Sequence, residues 1–117
     1  MWSKLQEVFE KIGLPYSRQG SYTEDEELPE SFFTFWNADT NDLLHYDNED
    51  HSTKWFWYVY FYTKDPKIMY SKLEEFITLA KEKGFNTDNG KGKDIPSDVP
   101  DYFGRYVRLT YVEDNKN

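Results

Sequence analysis

Apolar positions recur at two different periods along this chain, and the change of period marks its elements. Leu5, Val8, Phe9 and Ile12 fall at helical spacing and form one stripe, so residues 3–12 are expected to be a helix. Ser3 and Gln6 have capping-box spacing, and Gly13 followed by Pro15 is placed to end the helix. The same period returns at 65–83, where Met69, Leu73, Phe76 and Ala80 make the stripe with Ile77 beside it. Asp65 suits the N-cap and Pro66 the first turn. Lys81 and Lys83 stand where the helix dipole favours cations, and Gly84 closes the segment.

Between the helices the period drops to two. The stretch KWFWYVYFY, 54–62, holds eight aromatic or β-branched residues after its lysine, with no glycine, proline or acid among them. Its odd positions are Trp55, Trp57, Val59 and Phe61; its even positions are Phe56, Tyr58, Tyr60 and Tyr62. Alternation sends these sets to opposite faces of a strand. One set is wholly apolar. The other is mostly tyrosine, whose hydroxyl tolerates a half-wet surface. A central strand with helices on one face and a partner subunit on the other accounts for both, and stacking of a ligand on the tyrosines is the competing reading. SFFTFWN, 31–37, also has strand composition, and residues 14–23 read as a short extended edge segment. Residues 37–53, rich in Asn, Asp, Ser and Thr, read as a long loop. After the second helix come a short strand at Phe85–Thr87, a Gly/Lys/Asp/Pro loop from 88 to 101, a strand at 102–113, and a disordered tail at 114–117. The order α-β-β-β-α-β-β predicts an α+β domain over 1–113, an antiparallel sheet with two helices packed on one face.

Composition sharpens this picture. The chain has 117 residues, enough for one ordinary core, and 20% of them are aromatic against 38% hydrophobic overall, so aromatics must supply much of that core. There is no cysteine, hence no disulfide framework and no thiolate chemistry. The net charge of −8 argues against non-specific binding to nucleic acid or to an anionic membrane, and suits a basic partner. The longest apolar run is far shorter than the roughly 20 residues a membrane span needs. The amphipathic start, with Glu7 and Glu10, lacks the apolar block of a signal peptide, so a cytosolic product is expected.

Candidate chemistry is sparse. GKGKD, 90–94, lacks the spacing and the Ser/Thr of a phosphate loop and reads as a surface loop. Asn37, Asp39 and Asn41 alternate like the start of a calcium loop, but Asp42 and Asn48 stand where that loop needs glycine and glutamate. His45 and His51, beside Asp47, Glu49 and Asp50, lie in a polar segment without the ligand spacing of a zinc site. No Ser/His/Asp triad or catalytic carboxylate pair emerges. The expectation is a protein without catalytic residues, metal or cofactor. The acidic run Glu24, Asp25, Glu26 and Glu27, with Asp39, Asp42 and Asp47, is either a set of solvated loops or a surface facing a basic partner or a DNA channel.

The segments LPYSRQGSY, ESFFTFWN, KWFWYVYFY and DIPSDVPDYFGRYVRLTYV, with the element order, resemble those of tail-completion (tail terminator) proteins of long-tailed phages and prophages of Gram-positive bacteria. The resemblance covers about residues 1–113. It implies a virion structural protein, assembled in the host cytoplasm, that forms a six-fold ring at the head-proximal end of the tail tube. Its partners would be its own copies, the tail-tube protein and the head–tail connector. The tyrosine face, with Tyr58, Tyr60 and Tyr62, becomes the expected subunit interface, and the acidic loops are expected to face a partner or the channel. Alternatives are a head-completion or connector adaptor and, in another class, an acidic inhibitor or DNA mimic. The acids cluster in loops 24–30 and 39–50 rather than along the strands, which disfavours mimicry.

Overall fold

The computed structural model describes residues 2–19, 28–44, 51–97 and 100–114. Helix α1 spans Trp2–Ile12 and α2 spans Pro66–Glu82. The strands are β1 (Tyr16–Arg18), β2 (Ser31–Leu44), β3 (His51–Thr63), β4 (Asn86–Thr87), β5 (Lys93–Ile95) and β6 (Phe103–Asp114). They form one six-stranded sheet in the order β1-β2-β3-β6-β4, with β5 also on β6. Among the described residues, every pairing is antiparallel except that of β1 with β2. The fold is α+β, with both helices on one face.

Local signals placed α2 well. Asp65 caps it, its carboxylate accepting from the Lys67 amide at 2.9 Å, and Gly84 turns the chain away at φ +98°. Helix α1 starts earlier than its capping-box spacing suggests, so Ser3 lies inside the first turn. Packing explains the extra residue: the Trp2 ring stacks on Phe35 at 4.7 Å, which gains buried aromatic area at the helix start.

The segment expected to be a loop over 37–53 is largely sheet. β2 continues to Leu44 and β3 begins at His51, with Thr40 opposite Trp55, Asn41 opposite Lys54 and a bulge between Asn37 and Asp39. Polar side chains do not prevent this, because an antiparallel ladder satisfies backbone groups whatever the side chains are. The loop expected over 88–101 likewise contains β5, with Lys93 opposite Tyr106 and Ile95 opposite Gly104. β6 runs through Asp114, which pairs with Ser52, so the sheet extends one residue past the expected boundary at 113.

The core lies between the helices and the odd-numbered side of β3. Trp57, Val59 and Phe61 are buried there with Phe33, Phe35, Val107 and Leu109, against Leu5, Val8 and Phe9 of α1 and Leu73, Phe76 and Ala80 of α2. Phe9 is its hub: the ring stacks on Tyr16 at 4.8 Å and meets Phe33, Phe35 and Phe76 within 5.6 Å. At one end, Lys83 of the α2 C-cap bridges to Glu7 of α1 at 3.0 Å.

A polar latch ties β5 to α2 and β6. Arg105 donates through Nη1 to Asp94 and through Nη2 to the carbonyls of Lys91 and Gly92, while the Tyr70 hydroxyl donates to Asp94 Oδ2 at 3.0 Å. The guanidinium also lies 4.8 Å from the Tyr70 ring centre. Hydrogen bonding from Arg105, and then from Tyr70, holds the Asp94 carboxyl below its ordinary range. The hydrogen bond to Asp94 and its negative charge push the Tyr70 phenol up. A lowered carboxyl stabilises the fold above its unfolded pKa and loses that contribution as pH falls through the folded value; a raised phenol loses its contribution as pH rises through the folded value. The latch is therefore expected to weaken below about pH 4 and above about pH 10. Arg105→Ala should make 88–97 the first site of limited proteolysis at neutral pH. Equal cleavage rates for variant and parent would show that β5 is held without it.

Candidate interaction face

Among the described residues, no helix covers the even-numbered side of β3. Register brings four strands together on it: Trp36 of β2 stands opposite Tyr58, Tyr58 opposite Arg108 of β6, Tyr60 opposite Tyr106, and Lys93 of β5 opposite Tyr106 on the other side. The rings lie flat against one another. Trp36 stacks on Tyr58 at 5.0 Å and 13°, Tyr58 on Tyr60 at 6.3 Å, and Tyr60 on Tyr106 at 5.8 Å. The Trp36 indole N–H donates to the Tyr60 hydroxyl at 3.4 Å. This mutual packing leaves Phe56, Tyr58, Tyr60 and Tyr106 half-buried, and Trp36 is 38% exposed.

One end of this face is closed by the chain itself. Tyr62 stacks on Phe32 at 5.3 Å, and Tyr102 meets Phe32 edge-on while its hydroxyl donates to the Pro29 carbonyl at 2.6 Å. Tyr62 is consequently 9% exposed and Phe32 2%. Of the three tyrosines expected at an interface, Tyr58 and Tyr60 lie on the open part and Tyr62 lies under an internal aromatic cap.

Cations border the open part. Lys54 Nζ lies 5.1 Å from the centre of the Phe56 ring, and the Arg108 guanidinium 4.9 Å from the same ring and 5.9 Å from Tyr58. Arg108 Nε is 3.1 Å from an Asp88 carboxylate oxygen. Such an arrangement can bury aromatic area against a partner and select its charge.

The other expected residues fall elsewhere. Asp39 and Asp42 are in β2, opposite Phe56 and Thr53. Glu24, Asp25, Glu26, Glu27 and Asp47 lie outside the described residues, as does His45. Among the described residues, no three His, Cys, Asp or Glu side chains come together to hold a metal ion. GKGKD is a turn running into β5, with Gly90 and Gly92 at positive φ and no helix after it among the described residues. Sequence reasoning missed Trp36, Tyr106 and Arg108. Their even positions in two aromatic strands were a signal, but only the register says that they join Tyr58 and Tyr60.

No protein-family model matches the chain, and no curated protein matches it. No helix among the described residues is long and apolar enough to cross a membrane.

Proposed function

We propose that this chain is a virion structural protein of a long-tailed phage or prophage, a tail-completion subunit. Its copies close into a ring at the head-proximal end of the tail tube and meet the head–tail connector. The observation that carries the reading is the half-exposed aromatic side of a sheet whose two described helices lie on the other side. Interface cores are enriched in Tyr, Trp and Arg, which are the residues gathered here. A ring of identical copies joins this face of one subunit to a different surface of the next.

An early stop codon in the gene, in the phage or prophage that carries it, tests the role through negative-stain electron microscopy of the lysate. Filled heads beside unattached tails of abnormal length are the expected result. Normal tails with leaking heads would move the protein to the connector, and normal infectious particles would discard the virion role. In the intact phage, Tyr58→Ala with Tyr60→Ala should reproduce the stop-codon particles while the purified variant keeps its helical and sheet signal.

A further inference from the structure

Residues 88–92 interrupt one edge of the sheet, and the Asn89 side chain closes the gap. β4 pairs with β6 at Leu109 and Thr110, and β5 takes up the same edge at Gly104, Arg105 and Tyr106. Between them the Arg108 carbonyl accepts from the Asp88 amide at 3.1 Å, and the Arg108 amide donates to Asn89 Oδ1 at 3.0 Å. The main-chain carbonyl of Asn89 accepts from Gly92 N–H at 3.0 Å, closing a turn in which Gly90 is exposed at φ +62°. Asn89 Nδ2 is buried and has no hydrogen-bond partner among the described residues. The latch holds this turn directly: Arg105 Nη2 donates to the carbonyls of Lys91 at 3.3 Å and Gly92 at 3.1 Å. Lys91 Nζ also lies 3.1 Å from a Glu74 carboxylate oxygen on α2.

Asn89 and Gly90 form the one Asn-Gly pair in the chain. Asparagine is thermolabile, most of all before glycine, which has no side chain to shield its amide nitrogen. We infer that Asn89 is a site of spontaneous deamidation, closed in the folded chain and opened when the Arg105–Asp94 latch releases residues 88–97. In the reaction the Gly90 amide nitrogen gives up its proton to solvent and bonds to Asn89 Cγ. The Cγ–Nδ2 bond breaks and Nδ2 leaves as ammonia. Water then opens the cyclic imide at either carbonyl, giving aspartate or isoaspartate. Ring closure requires the side-chain amide and the peptide between Asn89 and Gly90 to turn into one plane. In the folded chain the first is tied to β6 and the second to Gly92, and burial of Nδ2 keeps water from the departing ammonia. Both ties lie in the segment that Arg105 holds, so the reaction proceeds from the opened segment, as exchange of a protected amide does. Either product sets a new carboxylate beside Asp88, and isoaspartate adds a methylene to the main chain. The gap opposite Arg108 then no longer closes as before, and the change is one-way.

The test is peptide mapping by mass spectrometry of the purified full chain, held at mildly alkaline pH with and without urea. Conversion of Asn89 is expected to be at least about tenfold slower in the folded chain than in urea. Arg105→Ala should raise the folded-state rate toward the urea value, with circular dichroism showing that the variant is folded. Tyr70→Phe removes only the hydroxyl donated to Asp94, from a helix position that is 49% exposed, and should raise the rate by a smaller factor. It carries the test if Arg105→Ala does not fold. In urea, Gly90→Ala should slow conversion, because a methyl group then shields the attacking nitrogen. The modified chain, separated by its added negative charge, should melt below the parent. Equal rates with and without urea overturn protection by the fold, and no conversion in urea overturns the site itself. Rates left unchanged by the latch variants overturn control by the latch. A modified chain that melts with the parent overturns the one-way loosening. None of these outcomes depends on the tail-completion role.

Discussion

Trp57→Ala is expected to unfold the domain at physiological temperature, at a cost of about 3–5 kcal/mol. Trp57 is 2% exposed and sits mid-strand on the helix-facing side of β3. Its ring contacts Trp55 at 6.2 Å, Phe35 at 6.1 Å and Trp2 at 6.0 Å, so its loss opens a cavity where α1 begins. The neighbours cannot collapse into that space, because Phe35 is held by Phe9 and β2 by its ladder to β3. The adjacent residue on the other face is the control. Tyr58→Ala removes a half-buried ring and is expected to cost about 1 kcal/mol, the size of lost aromatic pairing. Urea unfolding followed by circular dichroism separates the two. A Trp57→Ala midpoint equal to that of the parent would mean that β3 does not present this face to the helices.

Gly92→Val should be the most damaging change outside the core, costing about 2–4 kcal/mol from backbone strain and overpacking together. Gly92 has φ +95°, a conformation that β-branched residues avoid. A Cβ at this position would lie 2.6 Å from the Tyr106 carbonyl oxygen and 2.9 Å from Leu73 Cδ2. The leucine can shift, but the carbonyl belongs to the β6 backbone and is fixed by its ladder. The variant must therefore displace β5 or bend β6, and either movement strains the Arg105–Asp94 latch and disturbs Tyr106 on the aromatic face. Gly90 is also at positive φ, but a Cβ there would meet nothing within 4 Å, so Gly90→Ala carries backbone strain alone and is the milder comparison. Thermal melting of the two variants checks the order. If Gly92→Val melts no lower than Gly90→Ala, the close approach of β5 to β6 is not rigid.

The two substitutions also divide what could be read from the chain. Trp57 was placed by alternation alone, since Trp55, Trp57, Val59 and Phe61 can share a face only if the segment is a strand. Gly92 could not be placed that way. GKGKD reads as an open surface turn, and the carbonyl that makes its glycine necessary comes from Tyr106, in another strand.

The same division runs through the whole molecule. The sequence by itself determined both helices, the central strand, the α+β class and the sidedness of β3, because each depends on residues within a few positions of one another. Asp65 caps an amide two residues away, and the stripe of α2 repeats every turn. Only the tertiary structure decided the rest. Residues 39–44 are strand because β3 supplies partners for their backbone, although their composition is that of a loop. Tyr60 and Tyr62 belong to one alternating set, yet Tyr62 is covered and Tyr60 is not, because Phe32 and Tyr102 reach it from distant parts of the chain. Trp36, Tyr106 and Arg108 join the face for the same reason. Pairing register is a relation between segments, and side-chain periodicity within one segment does not contain it.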